Sequence, residues 1–157
     1  MRLTLTPLIA FTTLILLSLT SCGSKRDYGK IYPEDLSKKV DFNMSISDFN
    51  ALKGTSTADM QDGSFRWVYH EKVEGGDVTD IVYYFDKDGM QPLYEMIFIY
   101  NDTTARNAAA DKLLGPPNHE GEWRFTNGPH TISAWKYKTK LILAALIPKT
   151  EWNEASD

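Results

Sequence analysis

Cysteine is almost absent from this chain: among its 157 residues only Cys22 carries a thiol. One cysteine closes no intramolecular disulfide and builds no cysteine-rich zinc site. Histidine is nearly as scarce. His70, His119 and His130 show neither HxxxH nor HExxH spacing, and they fall on the polar side of a strand or beside turns, as surface residues do. No run of Lys and Arg occurs and the formal net charge is −4, which argues against nucleic acid, whose binding needs phosphates neutralised. There is no Gly-x-Ser-x-Gly elbow and no glycine-rich phosphate loop, since Gly75-Gly76 reads as a turn. Asp86-Lys87-Asp88-Gly89 starts like a calcium loop, yet Ile97 stands where its last carboxylate ligand belongs, so a hairpin turn explains these residues better. Glu71, Glu74, Glu95, Glu120 and Glu122 could supply a hydrolase pair only by converging in space. The reading is a non-enzyme with neither metal nor cofactor.

Long apolar runs are missing too, apart from Leu8 to Leu19, broken only by Thr12, Thr13 and Ser18. That is short of the roughly 20 residues that span a bilayer. With Arg2 before it and small residues after it, the run has the order of a secretory signal peptide. Leu19-Thr20-Ser21-Cys22 closes it and resembles the lipobox of bacterial lipoproteins. The resemblance implies cleavage after residue 21 and acylation of Cys22, so that lipid chains contributing about 0.8 kcal/mol per buried methylene hold the protein on a bilayer. Gly23, and not Asp, after the cysteine favours the outer membrane under the sorting rule of some Gram-negative bacteria. Residues 22–40 read as a polar tether, 41–150 as one α+β domain, and 151–157 as an acidic tail that frays.

Within the domain, Ser45 and Asp48 form a capping-box pair, Met44 and Phe49 a hydrophobic staple, and Gly54 a stop, which predicts a short helix. Alternating or β-branched runs predict strands over Phe65–Val73, Val78–Phe85 and Leu93–Tyr100. Asp102 or Thr103 then caps a second helix ending at Gly115-Pro116-Pro117, and strands follow at Glu122–Thr126, Thr131–Tyr137 and Leu141–Ile147. Asp102-Thr103-Thr104 also resembles a bacterial O-glycosylation site, though a cap accounts for the same residues. The order reads as two helix-plus-three-strand repeats, 44–100 and 102–148, forming an antiparallel sheet with both helices on one face.

Lipobox, tether, a capped helix ending in Leu52-Lys53-Gly54 or Leu113-Leu114-Gly115-Pro116-Pro117, and a hairpin at Phe85-Asp86-Lys87-Asp88-Gly89 resemble the SmpA/OmlA type of small envelope lipoprotein. The duplication resembles the β-lactamase-inhibitor-protein-like fold. These resemblances imply a non-catalytic role in binding another envelope protein. An inhibitor or immunity-type binder of a secreted enzyme is the alternative, and a small hydrolase a third.

Both faces of Leu93–Tyr100 are apolar: Leu93, Ile97 and Ile99 point one way, Tyr94, Met96, Phe98 and Tyr100 the other. Two short helices cover one side of a sheet, which leaves the aromatic side as an exposed partner surface. Tyr84, Tyr94, Phe98, Tyr100, Trp135 and Tyr137 are its expected members, with Arg66, His70 and Lys72 on the opposite face.

Overall fold

The computed structural model describes residues 40–153. The expected signal peptide, Cys22 and most of the tether lie outside the described residues. Helix α1 is Ile46–Lys53 and α2 is Thr103–Leu114; the strands are β1 Gln61–Asp62, β2 Arg66–Lys72, β3 Val78–Asp86, β4 Leu93–Tyr100, β5 Trp123–Asn127, β6 His130–Tyr137 and β7 Lys140–Ala145. All seven strands form one antiparallel sheet in the order β1-β2-β3-β4-β7-β6-β5. This is an α+β fold with a larger sheet than six strands, because Gln61 and Asp62 pair with Val68 and Trp67 and add β1.

Local chemistry sets the helix ends. The Ser45 hydroxyl accepts from the Asp48 amide at 3.1 Å, and the Asp102 carboxylate accepts from the Ala105 amide at 2.8 Å. Each bond satisfies an amide that the first turn leaves without a partner. Gly54 ends α1 in the left-handed conformation at φ 68°, ψ 28°. Gly115 ends α2 at φ 67°, ψ −158°, a region open in practice to glycine alone.

The core lies on one face of the sheet, where side chains from both helices join it. Ile46 and Phe49 of α1, with Ala110 and Leu114 of α2, pack with Ile81, Tyr83, Phe85, Met96, Phe98 and Leu143. Phe49 is the hub: its ring lies 4.9 Å from Tyr83, 5.0 Å from Phe85 and 5.4 Å from Tyr69, in edge or tilted contacts that suit ring quadrupoles. Trp123, fully buried, donates its indole N–H to the Gly115 carbonyl at 2.8 Å and fixes the end of α2 to β5.

Beside the core, Lys53 bridges both carboxylate oxygens of Glu71 at 2.9 and 3.0 Å, and the Tyr83 hydroxyl donates to the same carboxylate at 2.7 Å. At the outer edge the Asn118 side-chain amide donates to the Arg124 carbonyl at 2.8 Å and accepts from the Arg124 amide at 2.7 Å. A side chain there completes the hydrogen bonds that another strand would otherwise supply.

One expectation changes at β4. A register shift between Tyr84 and Phe85 pairs Glu95 with Tyr84 and Leu93 with Phe85, so Tyr94 has no partner across β3. The bulge resets the alternation, and Leu93 joins the main core instead of siding with Ile97 and Ile99. The end of the domain also differs: Glu151–Asn153 is a 3₁₀ turn, not a frayed start to the tail.

Candidate functional site

The aromatic residues named from the sequence do not share one face. Tyr94, Phe98 and Tyr100 are at most 5 % exposed and belong to the main core cluster. Phe98 lies opposite Ile81 and Leu141, in the middle of the buried face. The helices therefore cover the aromatic side of β4, because α1 delivers Phe49 to the rings of Tyr69, Tyr83 and Phe85. Tyr84, Trp135 and Tyr137 lie on the other face, the one that carries Arg66, His70 and Lys72.

Register explains the composition of that second face. Val82 pairs with Ile97, Ile97 with Ile142, and Ile142 with Trp135, so an aliphatic row crosses three strands and meets an indole on the fourth. Val68, Tyr84, Ile99 and Trp135 pack around the buried Val82, Ile97 and Ile142. Tyr137, two residues beyond Trp135, is 54 % exposed. Neither helix contributes a residue to this second cluster.

The chain end folds back onto the same face. Lys149 takes a positive φ of 68°, the Thr150 hydroxyl donates to the Ile147 carbonyl at 2.8 Å, and the Asn153 amide donates to the Thr150 carbonyl at 2.9 Å. This tight turn presents Glu151 and Trp152. Trp152 packs edge-on against Trp135 with 5.2 Å between centroids, and its indole N–H donates to Glu95 at 2.6 Å. Glu151 accepts from the Arg66 guanidinium at 2.8 Å and from the Tyr94 hydroxyl at 2.7 Å. Arg66 in turn lies 4.0 Å from the Tyr84 ring centroid and 4.7 Å from that of Phe65, within cation–π range of both.

Burial dominates the electrostatics. Glu95 is 4 % exposed, and loss of solvent pushes its carboxyl up to about 7, with Glu151 adding repulsion. The Trp152 hydrogen bond, Arg66 and Lys140 act the other way. Burial, followed by its bond to Glu151, likewise raises the Tyr94 hydroxyl well above the ordinary phenol range.

The carboxylates raised as a hydrolase pair are dispersed in role. Glu71 is held by Lys53 and Tyr83, Glu95 by Trp152, and Glu74, Glu120 and Glu122 are exposed. Asp86 folds back on its own turn by accepting from the Asp88 amide at 2.7 Å. Sequence reasoning missed the Arg66–Glu151–Tyr94 link and the docking of Trp152. The one available signal was a large apolar ring in an otherwise polar, acidic end. No protein-family model matches the chain, and no curated protein or solved structure matches it either.

Proposed function

We propose that this is an envelope lipoprotein, anchored through acylated Cys22 to the outer membrane, whose domain binds another envelope protein without catalysis. The Leu19–Cys22 motif supports the anchor. The observation that carries the binding role is the second face of the sheet: an aliphatic row that no helix covers, ending at an exposed Tyr137 and the half-exposed Trp152. Exposed Tyr and Trp beside desolvated aliphatic side chains match the composition of protein interfaces. The partner surface in this reading is Tyr84, Trp135, Tyr137 and Trp152, while Tyr94, Phe98 and Tyr100 serve stability. The two halves, each a helix leading a strand meander, with β4 and β7 meeting at the centre, are read as one repeated unit.

Crosslinking in intact envelopes, followed by affinity capture of the lipidated chain, tests the reading. The wild type is expected to retain a discrete partner that Tyr137→Ala loses while the variant folds and is acylated normally. Equal capture by Tyr137→Ala and Trp135→Ala would overturn the assignment of the face. Absence of any crosslinked protein would overturn the role.

A further inference from the structure

On the β5 side of the second face lies an open cleft of about 470 Å³, lined by Glu122, Arg124, Ser133, Trp135, Leu146 and Trp152. Its size falls within the roughly 300–1,000 Å³ of small-molecule sites. The strand pairing builds two unlike walls. Arg124 stands opposite Ser133 across β5 and β6, and Glu122 precedes Arg124 by two residues, so three polar side chains share one wall. The other wall is aromatic, with Trp135 and Trp152 inclined at 69°. Glu95 takes the Trp152 N–H, so this indole offers its ring and no donor. Among the described residues, neither Glu122 nor Arg124 has an ion-pair partner.

This chemistry is selective. A wholly apolar ligand would desolvate a carboxylate, a guanidinium and a hydroxyl without replacing their hydrogen bonds. An anion would meet Glu122, and a cation would meet Arg124. The complementary ligand is neutral, with a flat apolar face and a rim of groups that donate and accept together. A sugar ring is built that way: its C–H face stacks on an indole, whose ring face carries negative charge density. Each hydroxyl can donate to a carboxylate and accept from a guanidinium, as Glu122 and Arg124 would require. We propose that the cleft between Trp135, Trp152 and the Glu122–Arg124–Ser133 wall is a binding site for a neutral saccharide. The inference goes beyond the protein-binding role and depends neither on it nor on the anchor.

Titration of the detergent-solubilised full-length chain with maltotriose, the N-acetylglucosamine trimer and, as a peptide-like control, tyrosinamide tests it. Tryptophan fluorescence and ligand-detected NMR are the readouts. At least one sugar is expected to bind saturably and to shift the emission. Trp135→Ala and Arg124→Ala are expected to weaken it by about tenfold or more. Tyr137→Ala is expected to leave sugar affinity unchanged. Arg124 is exposed, so its loss leaves the core intact, and an unchanged thermal melt separates lost binding from lost folding. Saturation by neither sugar, unchanged affinity in both Trp135→Ala and Arg124→Ala, or saturation by tyrosinamide alone would each overturn the proposal. Sugar binding without protein capture would remove the protein-binding role and leave this one standing.

Discussion

Replacing Glu95 by Gln isolates the energetic cost of burying one carboxylate. Burial lifts its carboxyl from an ordinary 4.5 to about 7. At 1.36 kcal/mol per unit, that shift corresponds to about 3 kcal/mol between the two protonation states. The sign follows from proton binding: between pH 4.5 and 7 the folded chain holds the proton that the unfolded chain has released. Glu95 therefore lowers stability as pH rises through this window, and the loss levels off above about 7. Gln keeps a carbonyl to accept the Trp152 N–H and carries no charge. The stability gained by Glu95→Gln is expected to grow by about 3 kcal/mol between pH 4 and pH 8. Urea denaturation of the detergent-solubilised chain, followed by tryptophan fluorescence, measures it. Asp80, held below its ordinary value by its hydrogen bond to Lys72, acts on the acid side of that window and in the opposite sense. Parallel pH profiles for wild type and Glu95→Gln would refute the argument. They would mean that water reaches the carboxylate behind Trp152.

Gly115→Val places a β-branched residue at φ 67°, ψ −158°, so destabilisation of about 1–3 kcal/mol is expected, seen as a lower urea midpoint. Phe98→Ala leaves a cavity opposite Ile81 and Leu141 and is expected to cost about 3–5 kcal/mol by the same measurement, as a core residue does and a surface one does not. Cys22→Ser is expected to abolish incorporation of a fatty-acid analogue and partitioning into detergent, and label persisting on the variant would refute the anchor.

Where a residue's role is local, the sequence was readable. Ser45, Gly54, Asp102 and Gly115 act within one turn of themselves, and α1, α2 and β4 begin and end where these residues and the β4 alternation place them. The candidate face was harder, since it depends on which side of β4 the helices cover. Alternation divides Leu93–Tyr100 into two apolar sets and cannot rank them. Cross-strand register decides: Tyr69 pairs with Tyr83 and Tyr83 with Met96, so the Phe49 contacts commit the even-numbered side of β4 to the core. Arg66 and Lys72, with His70 between them, lie on the side that neither α1 nor α2 covers. The β4 bulge has no local signature, and Glu151 meets Arg66 only through a contact 85 residues away in sequence.

The Asn118 side chain bears on colloidal behaviour. An open sheet ends in strands that invite a further chain to pair with them. At β5 the Arg124 amide and carbonyl are already engaged by one carboxamide. At the other end β1 is only two residues long, which leaves a short edge. Both edges of the sheet thus offer a shortened ladder to a neighbouring copy. At the β5 margin that safeguard rests on a single side chain whose conversion to a carboxylate would remove the donor facing the Arg124 carbonyl.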